Sequence, residues 1–261
     1  MSPVLADFDV LGISVKTFGI FFALNFVAWG AVAARRLREL GRPEEWAYEM
    51  VLVGVAGGLL GAKLYYVVQH GSEFSFSGLV SGSGLVWYGG LFGGIVLMLL
   101  WAEWRGFRNL HLCDIAGICI PLGYAIGRIG CQVSGDGDYG TASSLPWAMP
   151  YPDGTVPTTT DVHPTPIYET FSMGLVALGL WHLRDRVRPG VIFALYLVLA
   201  GVERFLVEFI RRNSEAFAGL TAAQLWSLGM IVLGTAWLAV VARRDGLAAG
   251  PALGRGLAQT S

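Results

Sequence analysis

Residues 112–140 read LCDIAGICIPLGYAIGRIGCQVSGDGDYG. Up to Val133 the stretch is mostly apolar, and ~20 such residues suffice for a helix to cross a bilayer core. It then turns abruptly into a glycine-rich polar loop. Arg128, Cys131, Asp136 and Asp138 crowd the junction. A run of this kind reads as a membrane helix, because lipid cannot satisfy open backbone groups. The charges at its end need a separate explanation.

The rest of the chain has the same character. Its 261 residues have a mean hydropathy of +0.56, with 54% hydrophobic and only 14% charged residues. Soluble domains carry about a quarter charged residues. A net charge of −1 and the lack of a long basic block give no reason to expect nucleic acid as a partner. The three cysteines, Cys113, Cys119 and Cys131, form no CxxC pair and no metal-ligand spacing, so no metal is expected. The start, MSPVLADFDV, lacks the basic segment and small-residue cleavage site of a secretory signal. The first apolar segment is therefore expected to stay as a membrane helix.

Seven apolar runs are candidate spans: residues 10–34, 46–68, 85–102, 112–133, 166–183, 191–210 and 220–242. The expected fold is an all-α integral membrane protein. It has seven transmembrane helices in one domain over residues 1–245, a small extracytoplasmic head at 134–165 and a disordered cytoplasmic tail at 246–261. Lys and Arg follow spans one, three, five and seven (RRLRELGR, EWRGFR, HLRDRVR, ARRD), while the loops 70–84 and 134–165 hold neither. The positive-inside bias then puts the N-terminus outside and the C-terminus in the cytoplasm. Arg211 and Arg212 break the pattern on the outer side.

Lys63, Asp114, Arg128, Arg204 and Glu208 fall in or at the ends of spans. A charge at the bilayer centre costs ~2.5–3.5 kcal/mol on insertion scales, so such residues are paired or face a cavity. Asp114, near the cytoplasmic end, reads as structural. Arg128 and Arg204 lie in the outer half, with Arg211 and the loop acids. Guanidinium groups there suit a phosphate, and the phosphate at that depth is a phospholipid headgroup. Residues 135–140 spell GxGxxG, but no strand precedes them and no helix follows, so a dinucleotide site is rejected and no cofactor is expected. Asp136-x-Asp138 lacks the further ligands of a calcium loop.

With these residues in view, the chain resembles the prolipoprotein diacylglyceryl transferases of bacterial inner membranes, from about residue 10 to 243. GRIGCQVSGDGDYG (127–140) is similar to the family's GRxGN-x-x-NGE run with its closing aromatic residue and glycine. HPTPIYE (163–169) is similar to HPxQLYE, RFLVEFIRR (204–212) to RFxxEFxR, and VWYGGLFGG (86–94) to HGGLxG. LTAAQLWS (220–227) is similar to the segment that opens the last helix. The resemblance implies transfer of a diacylglyceryl group from phosphatidylglycerol to the lipobox cysteine of a preprolipoprotein signal peptide, with release of glycerol phosphate. It implies that Arg128 and Arg204 hold the phosphate. Asp136, at the place of the family's Glu, and Glu208 would orient those arginines or the glycerol hydroxyls. Tyr88, at the place of the family's His, and His163 are candidate bases. Lys63, Asp138, Gly140 and Arg211 complete the expected substrate-binding set. Tyr168 and Glu169 are expected to fix their helix rather than do chemistry.

The chain departs from the family pattern at Phe18, Tyr88, Cys131, Ser134 and Pro166, and Asp138 lengthens the loop by one residue. A divergent paralogue with another donor or acceptor, or without activity, stays open. In that case Cys131 would be a candidate nucleophile, and Asp136 and Asp138 candidate bases. A transporter fits less well: there is no internal repeat, and the charges gather at one face.

Overall fold

The computed structural model describes residues 4–8, 13–69, 87–244 and 246–249. Among them run seven α-helices: α1 (Thr17–Glu39), α2 (Trp46–Gln69), α3 (Trp87–Trp104), α4 (Leu110–Ser134), α5 (Thr165–Leu183), α6 (Val191–Val207) and α7 (Ala222–Arg244). Three antiparallel hairpins pair β1 (Val4–Phe8) with β2 (Ile13–Lys16), β3 (Met149–Tyr151) with β4 (Thr158–Val162), and β5 (Glu215–Phe217) with β6 (Leu220–Thr221).

Each helix falls on one of the apolar runs. Four of them, α1, α2, α4 and α7, are long and apolar enough to cross a bilayer, and α3 adds the shorter apolar stretch Tyr88–Trp104. The protein is thus a mostly helical membrane protein. The other two helices are less uniformly apolar. The first turns of α5 carry Thr165, Tyr168, Glu169 and Thr170, and α6 has only 17 residues, with Glu203 and Arg204 in its last two turns.

Boundaries shift where the chain has a better use for its backbone groups. The first helix starts at Thr17, not near residue 10, because Ile13–Lys16 pairs as a strand with Val4–Phe8. It then continues past residue 34 to Glu39, where Arg35 and Arg36 pair with Glu39 at 3.3 and 3.1 Å. Such i,i+3 and i,i+4 pairs let a helix run on into polar sequence. The sixth helix stops at Val207, and Glu208–Ile210 tightens into a 3-10 turn. The expected outer loop 70–84 and the tail beyond 249 lie outside the described residues.

Two compact units are described separately: Gly30–Leu112, and Met1–Trp29 with Cys113–Ser261. In the first, α2 and α3 touch backbone to backbone. A Cβ added at Gly57 would lie 3.0 Å from Gly94 Cα, and one at Gly61 would lie 2.7 Å from Gly93 Cα. Small residues permit this approach, which is how helices associate in lipid without a hydrophobic drive between them. One end of this unit is locked by Glu49, which accepts from Trp101 Nε1 (2.8 Å) and pairs with Arg105. Trp46 packs edge-on to Trp101 and Phe107 beside them.

In the second unit, α6 begins on Asp114. Its carboxylate oxygens accept the N–H groups of Gly190 (2.7 Å) and Phe193 (3.1 Å), which the helix itself leaves unpaired. The negative charge also suits the helix N-terminus. This intramembrane acid is therefore a structural cap. Residues 134–165 form a small layer with its own core, where Tyr139 stacks on Tyr151 at 4.9 Å and packs with buried Val162. Tyr139 donates to the Val156 carbonyl (2.8 Å) and Tyr151 to Gln132 (2.9 Å). Burial pushes the Tyr151 phenol up to about 12, so it stays a neutral donor.

The helix contact gives a clear test. Gly61→Ala should cost about 1–3 kcal/mol in thermal unfolding of the detergent-solubilised protein, because a backbone cannot yield to the methyl. Gly58→Ala, whose added Cβ meets only the Gly90 carbonyl at 4.0 Å, should leave the midpoint unchanged or higher.

Candidate active site

The site is built in the unit that holds α4, α5 and α6, around one carboxylate. Glu169 lies in the second turn of α5, and its side chain is 0% exposed. It accepts from the Tyr124 hydroxyl at 2.7 Å, pairs with Arg128 Nε at 3.0 Å and Arg204 Nη1 at 3.2 Å, and faces Arg211 Nη1 at 3.4 Å. Arg128 comes from the last two turns of α4, Arg204 from the end of α6 and Arg211 from just after the 3-10 turn. One acid therefore gathers three elements. The sequence alone suggests for Glu169 only the local role of fixing its helix. The missed signal was an acid inside an apolar run, which by its insertion cost demanded a partner as Arg128 did.

Glu208 is the second buried counter-ion. Its Oε2 lies 2.8 Å from Arg204 Nη2 and 3.9 Å from Arg211 Nε, while Oε1 accepts from Thr221 Oγ1 (2.8 Å) and Asn213 Nδ2 (2.7 Å). Thr221 is held for this by the start of α7. The Thr221 N–H donates to Gln224 Oε1 (3.0 Å), and the Gln224 N–H donates to Thr221 Oγ1 (3.2 Å). This is a capping box, which explains the polar spacing in LTAAQLWS.

Asp138 is the third carboxylate and the most open, with its side chain 35% exposed. One oxygen meets Arg128 Nη1 and the other meets Arg211 Nη2. Asp136, expected to orient the arginines, instead accepts the Asp138 backbone N–H at 3.2 Å. The reason is the turn. Gly135 and Gly137 take φ of 62° and 93°, a left-handed conformation that glycine adopts freely, and it carries the second aspartate to the cations. Burial alone would raise the Asp138 carboxyl, but the charges of Arg128 and Arg211 outweigh it and hold the group below the usual carboxylate range.

The other expected site residues are distributed as follows. Gly140 sits where a Cβ would lie 2.5 Å from the Ile210 carbonyl and 3.0 Å from both His163 Cβ and Thr165 Cγ2. Its N–H donates to the His163 carbonyl at 2.8 Å, so the closing glycine is needed for packing. The His163 ring faces the Tyr168 hydroxyl at 3.4 Å, and that hydroxyl also accepts from Trp147 Nε1 at 2.7 Å. Among the described residues, no hydrogen bond of His163 reaches the arginines. Arg212 donates to the Gly137 carbonyl (3.0 Å) and lies over the Tyr139 ring (4.1 Å). Lys63 on α2 and Tyr88 in the first turn of α3 belong to the other unit. Cys131 is buried beside Arg128 Nη1 at 3.7 Å. Its Sγ and carboxylate oxygens of Asp136 and Asp138 lie within 4.8 Å of one another. A cation there would compete with two guanidinium groups for Asp138. Glu203, which sequence reasoning also passed over, accepts from Ser172 Oγ at 3.1 Å.

Fold and site together define a helical membrane protein that concentrates ion-paired guanidinium groups beside a glycine-rich loop. The chain belongs to the prolipoprotein diacylglyceryl transferase family, whose sequence profile matches residues 3–240. It is 30% identical to the phosphatidylglycerol–prolipoprotein diacylglyceryl transferase of Clostridium tetani over 240 residues, 90% of this chain and 95% of that one. The enzyme of the same name from Methylococcus capsulatus is 31% identical over 270 aligned positions, covering 94% of this chain and 97% of its own. That from Bordetella avium is 36% identical over 213 residues, 77% and 78% of the two chains.

Two outcomes should follow from the geometry. Glu169→Ala leaves buried arginines uncompensated and should cost about 3–5 kcal/mol in unfolding measurements, well beyond the loss in Glu169→Gln. Asp138 has a depressed folded-state pKa, so its stabilisation is complete above the unfolded value of ~3.9 and is lost as pH falls through the folded value. Asp138→Asn should therefore lower the thermal midpoint at neutral pH, and the gap to the wild type should close below about pH 4.

Proposed function

We propose that this protein transfers the diacylglyceryl group of phosphatidylglycerol to the lipobox cysteine thiol of a preprolipoprotein. The observation that carries the reading is the meeting of Arg128, Arg204 and Arg211 on buried Glu169. The thiol gives up its proton, and the thiolate sulfur attacks the glyceryl CH2 bonded to the phosphate oxygen. A C–S thioether forms, the C–O bond breaks, and its electron pair leaves on glycerol phosphate. Arg128 and Arg204 hold the phosphate where that charge develops. Glu208 fixes Arg204, and Glu169 fixes all three guanidinium groups. Tyr88, Asp136 and His163 are the candidates for taking the thiol proton. Lys63 and Gly140 complete the proposed binding set.

The setting we infer is the inner membrane of a bacterium, with seven spans in one domain and residues 134–165 as a head on the outer side. The N-terminus is outside and the C-terminus, with the tail 246–261, is in the cytoplasm. This orientation is supported by the Lys and Arg at the ends of alternate spans, including Arg36 and Arg38 in the last turn of α1 and Arg243 and Arg244 in that of α7. A second reading, a divergent paralogue with another acceptor, is favoured by Tyr88 at the position of the family's His.

A reconstituted assay decides between them. Given phosphatidylglycerol in detergent micelles and a lipobox peptide with a free cysteine, the protein should release glycerol phosphate only when the cysteine is present. Arg128→Ala and Arg204→Ala should each lower the rate by about 10²-fold or more, and Tyr88→Phe should also slow it. Folded, lipid-binding protein that releases nothing would favour the paralogue.

A further inference from the structure

The ion pairs of the arginine cluster are already matched in charge. Arg128, Arg204 and Arg211 face Asp138, Glu169 and Glu208, one acid for each cation. A phosphate added to this set would bring uncompensated negative charge into a partly buried site, where it is poorly screened. One of the acids must give way.

The structure distinguishes among the three. Glu169 and Glu208 have 0% exposed side chains and several donors each. They are fixed parts of the scaffold. Asp138 is 35% exposed, and its carboxylate contacts are to Arg128 and Arg211. It sets one oxygen on each guanidinium, as two oxygens of a phosphodiester would. Its main chain is pinned separately: the Asp138 carbonyl accepts from Thr165 Oγ1 at 2.6 Å and its N–H reaches Asp136 at 3.2 Å. The carboxylate can therefore leave by side-chain rotation while the turn stays in place. The exposed Arg212, bound to the carbonyl of Gly137, adds a cation next to the same turn.

We propose that Asp138 is an internal stand-in for a phosphate, and that an anionic phosphodiester binds by displacing it from between Arg128 and Arg211. This rests on the proposed use of a phospholipid headgroup and deepens it. The anion takes over the contacts of Asp138 to Arg128 and Arg211 and adds Arg204, held by Glu169 and Glu208, as a third guanidinium, and Asp138 sets the threshold for occupation. A zwitterionic headgroup brings its own cation against the guanidinium groups and Arg212, so Asp138 also favours lipids with net negative charge.

Binding to the full-length protein in neutral detergent tests this. Micelles doped with phosphatidylglycerol or phosphatidylcholine, and free glycerol phosphate, would be titrated against wild type, Asp138→Asn and Asp138→Ser. Each protein's thermal shift would be read from its own unliganded midpoint. Removing the competing carboxylate should lower the half-saturating phosphatidylglycerol fraction by about tenfold, with phosphatidylcholine unchanged. Tightening for glycerol phosphate alone would support the displacement and assign the site to the leaving group. If one variant does not fold, the other carries the test. Weaker or unchanged binding of both anions would make Asp138 a plain structural tether and overturn the proposal. The transfer assay on the same proteins separates the two failures. Tighter binding without transfer to the thiol would sink the functional reading only, and transfer without tighter binding would sink this inference only.

Discussion

A carboxylate with no exposed surface holds Arg128, Arg204, Arg211 and the Tyr124 hydroxyl, and the rest of the site follows from its position. An unpaired charge buried at this depth would cost several kcal/mol, so the arginines and Glu169 must be placed together or not at all. That requirement sets where α4 and α6 end and α5 begins relative to one another. It also accounts for the 3-10 turn at Glu208–Ile210, which ends the sixth helix just before Arg211.

The loops around the cluster are shaped to serve it. The glycine turn brings Asp138 to the cations, Thr165 Oγ1 holds that turn by its carbonyl, and Gly140 lets the chain pass against Ile210 and His163. The capping box of α7 does a similar job at a distance, since it presents the Thr221 hydroxyl to Glu208. Each device satisfies a backbone or side-chain polar group near the apolar helices, where water is not there to do so. The result is a rigid, electrically balanced site with one accessible acid. A site of this kind binds an anion by exchange, which gives selectivity for charge at the expense of raw affinity.

The apolar helices were legible in the sequence because the bilayer imposes a length and a composition that a run of residues either has or lacks. Arg128, Arg204 and Glu208 were legible because a charge in such a run carries a large cost. The glycines of α2 and α3 were visible as abundance, but not as the particular pairs Gly57, Gly61, Gly89 and Gly93. Glu169 was read as a local fixture, because HPTPIYE presents it at the start of a helix, where acids are ordinary. Asp136 was preferred over Asp138 because it occupies the place of the family's acid. The inserted residue and two left-handed glycines shift the turn so that its neighbour takes the arginines.

The sequence by itself determined that this is a helical membrane protein, where its apolar runs lie, and that arginines and acids meet near the end of the fourth run. Those properties depend on local composition, and a linear chain displays them. Only the tertiary structure decided which acid neutralises which arginine. Arg128 and Glu169 are 41 positions apart and Glu169 and Arg211 are 42, so their pairing depends on how helices end and loops turn. It was settled by the cost of leaving any one of them alone in a medium that does not solvate it.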